Sequence, residues 1–432
     1  MKYFYKLIRF YKENKKFVYL WLAQVITQTS VSIVTIIIGI LSHEGVISSS
    51  VKESSTSIGI IINLSTIPGI IFAPLAGAFA DKIEKKKIMI LSNFIRFFLL
   101  VFFIIFNGWN KLVLSYFLIL SLAIVLQFFI PAEGGLIPRI VEKKYLLFAN
   151  SLFSLTVFTT TAVGIAFSGL ILNLFGIKWT FSICALLFIT SAIFVYFIDT
   201  EGIKTENNKI RLIYFVKLIP TILDDIKDGI NYALRTKILR FILFHLFLIQ
   251  IVSFTLVTIS FRIGNEIYGV SPRTAGLIVF APVMIGLLTS LATLNIFGRF
   301  KNRIKLILIG TLTSTCGFGC IMVIAVLKFF LSNVFIDKIF ASISLIIIGF
   351  SIPFLLVPAQ TLMHENTEDN FRGRILGIWV ALTLSLASMV ATFVGFLTDQ
   401  MDNIFIAVLC LTFFDIVYSG VILILLKRRL LC

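Results

Sequence analysis

Residues 77–87 read GAFADKIEKKK, between two apolar runs that are each long enough to cross a bilayer. Lys82, Lys85, Lys86 and Lys87 make this a short, cation-rich hairpin. The excess of positive charge carried by inner loops holds such a hairpin on the cytoplasmic side. Gly77 has no side chain and is expected to let a neighbouring helix come close. Asp81 is a lone carboxylate at the end of an apolar helix. It is placed to pair with a cation or with the positive N-terminal end of another helix.

The same alternation of apolar run and basic burst repeats along all 432 residues. Charged residues make up 14% of the chain, against about 25% in soluble proteins. With a mean hydropathy of +1.03, most of the surface is expected to face lipid. The formal charge of +17 would suit a nucleic-acid binder, but such proteins gather their cations on a soluble fold. Here the cations sit between apolar runs, so no nucleic-acid partner is expected. Cys316 and Cys320 share a helix face with no His, Asp or Glu beside them, and read as packing residues rather than metal ligands. The first apolar run is too long for the core of a cleaved signal peptide.

Twelve runs reach the length of about 20 residues that spans a bilayer as helix: 17–41, 57–80, 88–106, 112–130, 150–174, 179–198, 238–261, 274–297, 304–327, 339–359, 375–397 and 404–426. With the N-terminus inside, 30 of the 38 Lys and Arg fall on the inner side and 7 on the outer, with Arg96 inside a span. That asymmetry puts both termini in the cytoplasm. The expectation is an all-α membrane protein with an N-terminal six-helix bundle (1–199), a cytoplasmic linker (200–237) and a C-terminal six-helix bundle (238–432). The linker's second part, about 214–234, has the apolar spacing of an amphipathic helix on the inner membrane surface. The halves echo each other: Thr56-Ser57-Ile58-Gly59 matches Thr274-Ala275-Gly276, and Pro131-Ala132-Glu133 matches Pro358-Ala359-Gln360. The last two motifs are read as ending helices 4 and 10. Such repeats are common in secondary transporters, whose sites lie between the halves.

Gly77, Asp81, Lys82, Lys85 and Lys86 resemble the motif between helices 2 and 3 of the major facilitator superfamily, with Glu84 where that family usually has Gly. PAEGGLIPRIVEKKYLLFAN (131–150), GIAFSG (164–169) and FRGRIL (371–376) narrow the likeness. They resemble the branch of macrolide-efflux, siderophore-export and nickel-resistance permeases, with Leu146, Ala149, Asn150, Gly373 and Arg374 in matching places. Two departures stand out. Gly164 is followed by Ile165 where drug antiporters favour Pro, and Gln24, Gln28 and Ser30 occupy the part of helix 1 that often holds an Asp. The resemblance implies alternating access in a cytoplasmic (inner) membrane. The cargo would be a drug- or siderophore-type amphipathic small molecule, exported by proton antiport from a monomer.

Polar groups inside a membrane are costly and mark candidate sites. By the resemblance, helices 1 and 7 line the cavity, so Gln24, Gln28, His245 and Gln250 would face substrate; otherwise they bond neighbouring helices. Arg96 would pair with Asp81 or Glu133 as an inner gate, or snorkel to headgroups. Gly77, Asp81, Lys82, Lys85, Lys86, Arg96, Gly373 and Arg374 would form the gating set. Glu133 is the candidate for proton coupling, with His245 as the alternative; no deep midplane carboxylate is expected. Nothing suggests catalysis, a cofactor or a metal: there is no phosphate-binding loop, and His43, His245 and His364 are scattered. The rival readings are an importer or lysophospholipid flippase on this fold, and a transport-inactive receptor or scaffold.

Overall fold

The computed structural model describes residues 11, 13–51, 54–142, 145–199, 227–297, 303–327, 334–368, 371, 375, 377–379, 384–401 and 404–427. They are helical almost throughout. In hydrocarbon no water can satisfy a backbone amide, so an apolar run must bond within itself. The helices are α1 (Lys15–His43), α2 (Ser55–Thr66), α3 (Pro68–Lys82), α4 (Lys85–Ile105), α5 (Leu112–Ile140) and α6 (Leu146–Tyr196). After residue 226 come α7 (Lys237–Arg262), α8 (Pro272–Phe297), α9 (Arg303–Leu327), α10 (Val334–Glu365), α11 (Ser385–Gln400) and α12 (Ile404–Lys427).

Nine segments among the described residues are long and apolar enough to cross a bilayer. One of them lies in α6, whose 51 residues would run about 77 Å as a single rod, more than twice a hydrocarbon core of about 30 Å. Gly176 resolves this: at φ 72° and ψ 173° it breaks the helix between the two expected runs, in a conformation other residues avoid.

Three boundaries differ from the sequence reading, each at proline. Run 57–80 is two helices, because Pro68 has no N–H to continue the ladder and α3 restarts there. In contrast, Pro131 and Pro138 lie inside α5, and Pro353 and Pro358 inside α10. Neither Pro131 nor Pro358 ends its helix, since packed membrane helices absorb the lost bond locally.

The chain divides into two compact units. The first comprises Met1–Leu41, Val46–Ser50 and Leu64–Ile222. The second comprises Ser42–Gly45, Val51–Asn63 and Leu223–Cys432, so it takes in the start of α2. In the first, α4 packs on α5 and α6, and α3 on α5. α4 is inside-out relative to a soluble helix: Ser92, Asn93 and Arg96 are buried while Leu91, Phe98 and Phe102 are exposed. Lipid surroundings make that arrangement favourable. In the second unit α10 packs on α8 and α9, α12 on α9, and α11 on α7. Residues 227–235 are helical, and Ala233 is buried in this unit's core, with Tyr232 stacked on Phe371 at 4.3 Å. The first part of the linker lies outside the described residues.

Candidate functional site

The hairpin is tighter than the sequence implies. Only Ile83 and Glu84 stand outside helix, and Lys85, Lys86 and Lys87 already belong to α4. Lys85 is buried, its ammonium donating to the Ala80 carbonyl at 2.8 Å and its stem lying against Gly135. Lys86 donates to the Ile198 carbonyl at 2.8 Å and sits 5.2 Å from the centre of the Tyr196 ring. These lysines therefore hold helix ends together. A side chain at Gly77 would meet open space among the described residues, so the expected close approach is not made there. Gly164 makes one instead: a Cβ on it would lie 2.5 Å from Ser32 Cβ, so its bareness seats α6 against α1. The side chains of Asp81 and Lys82, and all of Gly373 and Arg374, lie outside the described residues.

Inside the first unit α1, α4, α5 and α6 enclose a polar cluster. Arg96 is fully buried and does not snorkel. Its Nη1 donates to Asn93 Oδ1 at 3.0 Å, and Asn93 Nδ2 donates to Ser191 Oγ at 2.9 Å. Thr27 joins Ser191 at 2.7 Å. The guanidinium rests on two rings, 4.7 Å from the centre of Phe129 and 5.7 Å from that of Phe188. Glu133, one turn beyond Phe129, is buried and interacts with Arg96 through charge. Arg96 Nε and Nη2 and Glu133 Oε1 have no hydrogen-bond partner among the described residues. Of the two partners expected for Arg96, Glu133 acts on it through charge, with no hydrogen bond or ion pair between them among the described residues, while the side chain of Asp81 lies outside those residues. Gln24 is buried and donates to the Phe153 carbonyl at 3.4 Å, and its Oε1 has no partner among the described residues. Gln28 is half-buried on α1.

In the second unit His245 is wholly buried in α7, with one ring nitrogen bonded to the Tyr418 hydroxyl and the other 3.2 Å from the Leu355 carbonyl. It is a partnered interior residue rather than an open cavity wall. Gln250 is half-buried. Beside Tyr418 on α12 stands Asp415, 6% exposed, accepting from Thr315 Oγ1 at 2.9 Å. Sequence reading missed this carboxylate by absorbing it into an apolar run. Its mid-run position was the signal.

A third cluster joins α11 to the start of α2. Asp399 accepts from Ser54 Oγ, Ser55 N and Thr56 N at 2.8 Å each and from Thr56 Oγ1 at 2.6 Å. It thus caps α2 from another helix. Burial pushes the Asp399 carboxyl up, but the bonds from Thr56, Ser55 and Ser54 outweigh it and hold it below its ordinary value. Arg262 Nη2 lies 3.6 Å from Asp399, and Arg273 grips Glu44 through Nε at 2.8 Å and Nη2 at 3.0 Å. No group of His, Cys, Asp and Glu suited to a metal occurs among the described residues.

The family model of the Major Facilitator Superfamily matches residues 20–392. A curated relative, an uncharacterized MFS-type transporter, YkuC of Bacillus subtilis (strain 168), is 25% identical over 190 residues, 44% of this chain and 44% of that protein. The chain thus aligns with less than half the length of that relative. Among solved structures, the POT family transporter PepTSo superposes with a TM-score of 0.71 at 12% identity, over 97% of this chain and 99% of that one. A mutant of the nucleoside transporter NupG gives 0.69 at 12%, over 94% and 99%. A bacterial homolog of the human lysosomal transporter Spinster gives 0.68 at 13%, over 96% and 97%. At these identities the likeness shows the fold alone.

Proposed function

This chain belongs to the major facilitator superfamily, and from that premise we propose that it exports an amphipathic small molecule by proton-coupled alternating access. It is a multi-pass membrane transporter and not an enzyme. The observation that carries the coupling is Glu133: a buried carboxylate that acts on buried Arg96 through charge, with one oxygen lacking a hydrogen-bond partner among the described residues. A proton on Glu133 removes its hold on Arg96, and loss of that proton restores it. Asn93, Thr27 and Ser191 then follow Arg96 through the bonds that link them. Gln24, Gln28 and Gln250 are the polar contacts proposed for cargo. The hairpin residues Gly77, Asp81, Lys82, Lys85 and Lys86, with Gly373 and Arg374, are proposed as the inner gate. The distribution of Lys and Arg supports cytoplasmic termini in an inner membrane, and the chain is taken to act as a monomer.

The test is cargo flux in inverted vesicles with an imposed proton gradient, over macrolides, dyes, siderophores and lysolipids. Gradient-driven accumulation that Glu133→Gln abolishes is the expected result. Lysolipid movement indifferent to the gradient would replace export with flipping, and full activity of Glu133→Gln would remove Glu133 from the coupling.

A further inference from the structure

Asp415 stands near the middle of α12 (Ile404–Lys427), walled in by α7, α9 and α10. It lines a cavity of about 30 Å³, enough for a water molecule. Ser253, Thr311, Ser314, Ser351 and Tyr418 supply the other polar groups of that wall, and no Lys or Arg is among the described residues there. The titratable groups facing Asp415 are Tyr418 on its own helix and, behind it, His245 of α7. α9 and α10 bring hydroxyls, and α11 carries only Asp399, at its far end. A bare carboxylate in such surroundings is strongly disfavoured unless a cation neutralises it. The wall offers neither a cationic side chain nor a second carboxylate for a metal ion.

The hydrogen bonds fit both protonation states. Thr315 Oγ1 lies 2.9 Å from Asp415 Oδ2, 2.9 Å from the Thr311 carbonyl and 2.7 Å from Ser419 Oγ. One hydroxyl has one proton to give and two lone pairs to receive. With Asp415 ionised, Thr315 donates to it. With Asp415 protonated, the carboxyl donates to Thr315, which turns its own proton to Thr311 and still accepts from Ser419. The hub switches without moving a heavy atom. Tyr418, three residues on, shares that helix face and bonds His245 Nδ1. A carbonyl only accepts, so Nε2, 3.2 Å from Leu355 O, carries the proton and Nδ1 accepts from Tyr418.

We propose that Asp415 is a second proton-binding site of this transporter, inside the second unit, with Thr315 as its switching partner and Tyr418–His245 holding its far side. It rests on the transporter reading but not on Glu133. The test uses the full chain in lipid bilayers without cargo, with protons as the probe. Infrared difference spectra across a pH titration should show a carboxyl C=O band that appears on acidification. The band should persist in Glu133→Gln and be lost in Asp415→Asn. Isotope-labelled Asp in the unaltered chain reads the same band if the Asn variant does not fold. A spectrum unchanged by Asp415→Asn, or a band insensitive to pH, overturns the proposal. So does a band displaced by Na⁺ at fixed pH, which would make the occupant a metal cation. Loss of the Glu133 role alone leaves the Asp415 band in place, so the two failures are distinguishable.

Discussion

Replacing Asp399 with Ala should loosen the start of α2. Four donors converge on this carboxylate within 2.6–2.8 Å, two of them backbone N–H groups of the first turn of α2. Loss of a capping side chain costs about 1–2 kcal/mol, and loss of negative charge at a helix N-terminus about 0.3–1 kcal/mol more. The side chain is 19% exposed, so water replaces part of the bonding. A net loss of about 2 kcal/mol, roughly thirtyfold in the local opening equilibrium, is expected. Amide hydrogen exchange of the full chain in lipid reads this directly at Ser55 and Thr56. Asp399→Asn, which keeps an acceptor oxygen but not the charge, should fall between. The sign with pH follows from the depressed carboxyl: its stabilisation is complete above the ordinary carboxylate value and is lost as pH falls through the lowered one. Opening free energies, corrected for intrinsic exchange, should therefore stay flat from about pH 8 to about pH 5. Equal protection at Ser55 and Thr56 in Asp399→Ala and the parent chain would refute the reasoning.

Gly286→Ala should destabilise the chain by about 1–3 kcal/mol or prevent folding, measured as thermal melting in detergent. A Cβ there would lie 2.0 Å from the Ile346 carbonyl oxygen, and backbone cannot swing aside. Arg96→Met leaves Glu133 buried without its cation, at about 3–5 kcal/mol, and Glu133→Gln in the same chain should recover much of that in a double-mutant cycle. Lys86→Met gives up a carbonyl bond and a ring contact, so melting should reveal a loss of about 1 kcal/mol. Lys87→Met should be silent, because its pair with Glu84 has a lysine side chain 74% exposed.

The all-helical fold and nine of the spans among the described residues were legible because bilayer thickness and loop charge act on runs of residues, and runs survive in one dimension. The burial of Arg96 and of Glu133 was legible only as two options for a partner, since burial of an Arg calls for a partner but does not say on which helix. Single residues that act through the third dimension were not legible. Pro68 breaks its run whereas Pro131 and Pro358 do not, and the difference lies in what the neighbouring helices absorb. Gly77 reads as a close-approach glycine, yet among the described residues it meets open space while Gly164 and Gly286 make close approaches, because no spacing rule tells which face meets a neighbouring helix. Asp415 was lost for the opposite reason: averaged over an apolar run, one carboxylate disappears.

The two buried carboxylates differ in a way that bears on cargo. Ionised Glu133 faces an ionised Arg96, so a proton arriving there uncovers a positive charge that only the Phe129 and Phe188 rings and Asn93 remain to hold. Ionised Asp415 faces no cation among the residues of its wall, so a proton arriving there removes the only charge present. Protonation thus creates an unpaired charge in the first unit and cancels one in the second. On the proposed reading, the first site is the one that a charge on the cargo can serve, because a cationic cargo competes with both Arg96 and a proton for the Glu133 carboxylate. Glu133→Gln should then depress flux of a cationic dye more than flux of a neutral macrolide of similar size. Asp415→Asn should depress both alike, since no charge on the cargo enters its balance.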